Sequence, residues 1–91
     1  MQTSAEPLAA DEVLEVVRAA IATVLERDAE TIVAETTFEA LGADSLALVV
    51  MAEIIEERLA PVAPAGFRLG DRELAELRAV SDAVDLVLES L

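Results

Sequence analysis

Residues 43–60 contain neither glycine nor proline, yet Gly42 stands immediately before them and Pro61 immediately after. Glycine and proline are the strongest local punctuators of regular structure, so this segment is one element with both ends marked. Its apolar run from Leu46 to Met51, taken alone, fits a buried strand. The continuation through Ala52, Glu53, Ile54, Ile55, Glu56 and Glu57 is too long and too rich in helix formers for that. The segment predicts a helix beginning at Asp44 or Ser45 and running to Leu59, which Pro61 and Pro64 cannot continue. At about 3.6 residues per turn, Leu48, Met51, Ala52, Ile55 and Leu59 fall on one side and form its core face. The other side carries Leu46, Val49, Val50, Glu53, Glu56 and Glu57. A purely structural helix keeps its outer face polar throughout, whereas here the first turns are apolar and the later ones acidic. Either flanking loops cover Leu46, Val49 and Val50, or these residues form a partner-docking patch, because contiguous exposed apolar surface rimmed by charge marks an interaction site.

Upstream, Leu14, Val17, Ile21 and Val24/Leu25 recur at three- and four-residue steps, Val13, Val16 and Ala20 widen the stripe, and Glu12, Glu15, Arg18 and Glu26 face elsewhere. This periodicity predicts a helix from Leu8 to near Arg27, preceded by a flexible polar lead-in over residues 1–7. Asp28 to Phe38 has no sustained period and reads as a long connection, with Thr36 and Glu39 spaced as a capping box over one short turn. Residues 60–70 are a loop, from which Phe67 and Leu69 can plug the core. Asp71 can cap a short helix from Arg72 to about Leu77. Ser81 can cap a closing helix with Val80, Val84, Val87, Leu88 and Leu91 on its apolar side. The expected fold class is therefore all-α, a bundle of three principal helices plus one short helix, in a single domain over residues 8–91.

Composition narrows the chemistry. The chain has no cysteine, histidine, tryptophan, tyrosine or lysine, and all six basic residues are arginines. Zinc and copper prefer imidazole and thiolate ligands, and no loop has the alternating Asp/Asn pattern with a closing Glu that holds calcium, so no metal site is expected. The usual general bases and nucleophiles are missing, and arginine stays protonated. The expectation is a protein that is not an enzyme. A net charge of −13 repels nucleic acid and anionic membrane surfaces and attracts basic protein surfaces. Residues 1–10 have no basic segment followed by an apolar one, and no stretch is long and apolar enough to span a bilayer. These features read as a cytoplasmic monomer that binds neither nucleic acid nor membrane.

Ser45 opens the central helix directly after Gly42-Ala43-Asp44. Unpaired N–H groups and a partial positive charge at a helix start tolerate an anionic phosphodiester, although Asp and Ser are also the residues favoured for capping alone. The wider string Phe38-Glu39-Ala40-Leu41-Gly42-Ala43-Asp44-Ser45-Leu46 resembles the attachment motif of acyl carrier proteins, and the order of predicted helices matches that family over nearly the whole chain. The resemblance implies that a phosphopantetheinyl transferase moves 4′-phosphopantetheine from coenzyme A onto Ser45, and that the arm's thiol then holds an acyl group as a thioester. It further implies that Asp44 helps the transferase engage and that Leu46 docks on partner enzymes. Val49 and Val50 extend that apolar patch, and Glu53, Glu56 and Glu57 meet basic patches on acyl-loading and acyl-processing enzymes. Members from fatty acid synthesis carry acidic residues where this chain has Ala47 and Val50. The loop from Pro61 to Gly66 is also longer than is common. The expectation is a standalone carrier in a specialised (polyketide-like) or fatty acid biosynthetic pathway, and both departures point towards the specialised one, such as polyketide or another acyl-transfer biosynthesis. A peptidyl or aminoacyl carrier shares the serine chemistry, but its motif more often reads Gly-Gly-(Asp/His)-Ser-Leu, and Ala43 together with the strong acidity favours the acyl type. In a different class lies an unmodified helical interaction module, in which Asp44 and Ser45 serve only as caps.

Overall fold

The computed structural model describes residues 9–91, so the lead-in over residues 1–7 and the expected helix start at Leu8 lie outside the described residues. Three long helices carry the architecture: α1 (Ala10–Leu25), α3 (Ser45–Leu59) and α5 (Val80–Ser90). Two short ones, α2 (Phe38–Leu41) and α4 (Asp71–Ala75), sit in the connections. No β-strand occurs among the described residues, and the all-α bundle expected from the sequence is the fold found.

Helix α1 begins without a side-chain cap. Glu12 compensates by reaching back to accept from the Ala9 N–H at 2.9 Å, one half of a capping box. The helix stops at Leu25, short of the expected Arg27, because Glu26 adopts a left-handed conformation (φ 56°). That conformation costs a non-glycine residue about 1 kcal/mol. Arg27 then donates to the Leu41 carbonyl at 3.1 Å, which ties the end of α1 to the end of α2. The connection after α1 contains a 3₁₀ turn, Ala29–Thr31. Arg18, expected to face away, is instead partly buried beneath it. Its guanidinium donates to the Ile32 and Ala29 carbonyls, both at 2.7 Å, and pairs with Glu15 at 2.7 Å. One planar fork thus satisfies the Ile32 carbonyl and adds a second donor to the Ala29 carbonyl, which also accepts from Ile32 N at 3.1 Å.

The capping positions differ from the sequence expectation in three places. Thr37, not Thr36, caps α2, its hydroxyl accepting from the Ala40 N–H at 3.1 Å; Thr36 accepts from the Val33 N–H within the preceding loop. Gly70, not Asp71, is the cap position of α4, and Asp71 becomes the first helical residue, where its charge favours the positive helix end. The Glu73 carboxylate occupies the place where a Cβ at residue 70 would project, so a larger residue would displace it. At α5 the cap position is Ala79, and Ser81 caps nothing. Asp82 does this work from the first turn, its carboxylate accepting from the Ala79 and Arg78 N–H groups at 3.0 and 3.1 Å. At α5 it is the neighbouring chain, bridged at Thr37 and Ala79, rather than the best capping residue type that decides where the helix starts.

The start of α5 is held by a short antiparallel bridge between Thr37 and Ala79. Phe38 N donates to the Arg78 carbonyl and Val80 N to the Thr36 carbonyl, both at 2.8 Å, and Ser81 N to the Ala34 carbonyl at 2.9 Å. These bonds set the α2 turn beside α5. Hydrogen bonds from the Ala79 and then the Arg78 backbone, with a smaller contribution from the Arg78 charge, hold the Asp82 carboxyl below its ordinary value of 3.8. Because the folded pKa is depressed, this stabilisation is present above pH 3.8 and is lost as pH falls through the folded value. Asp82→Ala should therefore cost about 1 kcal/mol at neutral pH, as loss of a helix cap does. The difference in Tm from the parent protein should be constant between roughly pH 5 and 7, above the carboxylate range, and should close below it. A gap that stayed constant into strong acid would show that the carboxylate's charge is irrelevant there.

One core joins the three long helices. Val13, Val17, Ala20 and Ile21 of α1 meet Leu48, Met51, Ala52, Ile55 and Leu59 of α3, together with Val80, Ala83, Val84 and Val87 of α5. The face expected for α3 is buried as read. On α1 the buried stripe is rotated towards Val13 and Ala20, leaving Leu14, Val24 and Leu25 at its half-buried edge, because α1 packs against both α3 and α5. Leu88 and Leu91 are likewise half-buried. Leu69 is buried and Phe67 packs against the core, as expected of that loop.

Candidate functional site

The turn between α2 and α3 follows directly from its residue types. Gly42 takes φ 75°, which glycine adopts without the Cβ penalty. Gly42 N donates to the Glu39 carbonyl and Ala43 N to the Phe38 carbonyl, both at 3.0 Å, the paired bonds of a Schellman ending. Asp44 then takes an extended conformation, and its Oδ1 accepts from the Ala47 N–H at 2.9 Å while its own carbonyl accepts from Leu48 N at 3.1 Å. One helix thus closes and the next opens within a few residues. The Leu-Gly-Ala-Asp-Ser string is what permits so tight a reversal. Thr37 at one end of α2 and Arg27 on its last carbonyl brace the turn from outside the motif. Neither residue was singled out from the sequence: Thr37 stands beside Thr36, a residue of the same capping type, and Arg27 acts through a backbone contact fourteen residues away that only the fold brings together.

Asp44 performs the cap, and this division leaves Ser45 free. Ser45 is the first residue of α3, is exposed, and its hydroxyl has no hydrogen-bond partner among the described residues. Its own N–H and that of Leu46 lie at the open, positive end of the helix. The position can therefore receive a phosphodiester: an accessible hydroxyl, adjacent unpaired donors, and no side chain over it that would have to move.

Leu46 stands beside the serine with 70% of its surface exposed, and Val50 one turn on with 37%. Loops do not cover these two. Val49 packs partly against the core. Glu53 and Glu57 are exposed further along the helix, but Glu56 differs from the expectation for that face. Its side chain is only 20% exposed, accepts from the Leu69 N–H at 2.8 Å and lies 3.7 Å from Arg68. Glu56 holds down the loop that follows α3.

Two recesses adjoin this helix. An apolar one lined by Ile21, Val24, Leu25, Ala47 and Met51 has about 10 Å³ of room, no more than a single water needs at about 10–15 Å³. The other is an open groove of about 510 Å³ between the α2–α3 turn and the α4–α5 connection, with Ala43, Leu48, Leu77 and Arg78 in its lining. Among the described residues no acidic group is arranged to hold a metal ion, and no helix is long and apolar enough to cross a membrane.

Comparison with known proteins adds an independent line. No curated protein matches the chain at a significant level. A family model described as a phosphopantetheine attachment site matches residues 15–87, from within α1 through most of α5 and including the whole α2–α3 turn. With a match over most of its length and a free serine hydroxyl at the head of α3, the chain belongs to the phosphopantetheine attachment-site family, whose members are carrier domains that bear 4′-phosphopantetheine covalently.

Proposed function

We propose that this protein is an acyl carrier protein and that Ser45 is its attachment residue. The observation that carries the assignment is the split between two neighbouring side chains. Asp44 takes the capping bond, leaving Ser45 exposed and unengaged at the first position of α3. A serine retained only as a cap would itself accept from the helix backbone, so the unmodified-module reading loses its structural role for Ser45. In the modification, the Ser45 oxygen forms a bond to the coenzyme A phosphorus that bears the pantetheine. The pyrophosphate linkage breaks, adenosine 3′,5′-bisphosphate departs, and the hydroxyl proton passes to the transferase or solvent. Once attached, the arm supplies a thiol on which an acyl group is held as a thioester. The N–H groups of Ser45 and Leu46 would meet the phosphodiester, and Asp44 would steady the helix start while helping the transferase engage.

Leu46 and Val50, with the edge of Val49, supply an apolar docking surface next to the serine, and Glu53 and Glu57 supply charge for basic partner patches. Glu56 contributes indirectly by shaping the loop after α3. Acyl-loading and acyl-processing enzymes are the partners this surface fits. Ala47 and Val50, where fatty acid synthesis carriers bear acids, support a specialised, polyketide-like pathway. Strong acidity and Ala43 in the motif support an acyl over an aminoacyl cargo.

The test is intact-protein mass spectrometry after incubation with coenzyme A and a broad-specificity phosphopantetheinyl transferase. The expected outcome is a gain of one phosphopantetheine per chain, located on the peptide containing Ser45. A folded sample that gains nothing, or gains it elsewhere, would overturn the assignment.

A further inference from the structure

The groove of about 510 Å³ beside α3 has a property that the attachment reading alone does not use. Ala43 and Leu48 line it, and they bracket Ser45 in the chain. Leu48 lies three residues after Ser45, on the same helix face one turn below. The groove therefore adjoins the serine's own turn, within reach of a group tethered at Ser45. The apolar recess shares Phe38, Ala43 and Leu48 with the groove but has room of only about 10 Å³, no more than a single water needs at about 10–15 Å³.

The lining of the groove is not uniformly apolar. Thr37 and Glu39 lie on the α2 side and Arg78 on the α4–α5 side. Three of the six arginines contact other parts of the fold: Arg18 under the 3₁₀ turn, Arg27 on the Leu41 carbonyl and Arg68 beside Glu56. Arg58 and Arg72 are exposed without a partner among the described residues but do not line the groove. Arg78 is different. Its backbone is pinned on both sides, its N–H to the Asp82 carboxylate at 3.1 Å and its carbonyl to Phe38 N at 2.8 Å. Its side chain is exposed and makes no hydrogen bond or ion pair among the described residues. The Cα is thus held at the groove, and the guanidinium, whose charge also acts on the Asp82 carboxylate, keeps its donors available to another partner. In a chain of net charge −13, a cation positioned this way is conspicuous against its surroundings. Guanidinium carries five donors and no acceptor, so what it recognises is oxygen. Glu39 on the α2 side repels an anion there and leaves the Arg78 end as the favourable one.

We infer that Arg78 is a specificity residue whose guanidinium binds an oxygen borne by the carried acyl group beyond its thioester, so that the groove favours short oxygenated acyl groups over all-methylene chains of equal length. The inference rests on Ser45 being the attachment residue. The recognised oxygen is a β-oxo or a carboxylate oxygen, and the experiment separates the two sources.

Ser45 is loaded in the full chain from butyryl-, acetoacetyl- or malonyl-coenzyme A, with intact mass confirming each loading. Nitrogen-15 NMR then follows the Arg78 Nε–H and the backbone amides of Phe38 and Leu77. The expected result is a shift of the Arg78 Nε–H with malonyl, acetoacetyl or both, and none with butyryl. Arg78→Gln should take up each group to the same extent yet lose the difference at Phe38 and Leu77; the backbone bonds of residue 78 survive the substitution, so the fold is retained. Equal perturbation by all three acyl groups, a difference that persists in Arg78→Gln, or shifts confined to core amides such as those of Met51 and Ile55 would overturn the role of Arg78 and leave the carrier assignment standing. No mass gain at Ser45 would overturn both.

Discussion

Ser45→Ala is expected to take up no phosphopantetheine at all while folding as the parent protein does. The two halves of that statement come from different features. The chemistry needs a hydroxyl oxygen at residue 45, and the mutation removes the only nucleophilic atom there. The fold does not need it: the residue is exposed, its hydroxyl is unpartnered, and Asp44 supplies the capping bond to Ala47. Alanine is also the best helix former at such a position. Substitutions at surface positions without such roles stay within about 0.5 kcal/mol, so the Tm of Ser45→Ala should match that of the parent within a few degrees. Mass spectrometry and a thermal melt on the same preparation check both halves. A variant that lost several kcal/mol would reveal a structural role for Ser45, and a variant that still gained the arm would move the site elsewhere. Asp44→Ala is the informative companion, because it strips the cap and leaves the hydroxyl.

Ile55→Ala should have the largest effect on stability. Ile55 is fully buried near the middle of α3, the helix that both joins the core and presents the serine. Truncation removes transferred apolar surface and leaves a cavity that tightly packed neighbours refill only in part. The cost for such changes is about 2–5 kcal/mol. A small domain is stabilised by roughly 5–15 kcal/mol in total, and one that is self-repelling at net −13 belongs towards the lower end of that range. A loss of about 3 kcal/mol would lower Tm by roughly 12–24 °C for a domain of this size. Leu46→Ala on the same helix provides the contrast. With 70% of its surface exposed, Leu46 should change Tm hardly at all while weakening productive encounters with partner enzymes. Denaturant melts of the two variants side by side check the division between core and docking faces. Equal destabilisation would mean that the apolar face beside Ser45 is structural.

The central helix was legible because its pattern is local. Gly42 and Pro61 marked its ends, the spacing of Leu48, Met51, Ala52, Ile55 and Leu59 marked its buried face, and Asp44-Ser45 marked its start; each is a property of residues a few positions apart. The capping positions were less legible. Thr36, Asp71 and Ser81 are all residue types that cap helices well, yet Thr37, Gly70 and Ala79 occupy the cap positions. The bridge between Thr37 and Ala79 sets the start of α5, and Asp82 reaches back to serve it. Arg18 was read as a solvent-facing charge, since nothing in its own helix indicates that a later loop will offer two carbonyls above it. Glu56 lay on the outer face by periodicity, and only the return of the chain at Leu69 turned it into a loop anchor.

By itself, the sequence determined an all-α bundle, the helix that bears the serine, and the string that makes Ser45 the candidate for modification, because helical period and turn chemistry act over short separations. The tertiary structure left Leu46 and Val50 uncovered, set the start of α5 through the Thr37–Ala79 bridge, and placed Arg78 on the same groove as the serine's own turn. Those outcomes depend on contacts between residues far apart in the chain, whose geometry no local pattern encodes.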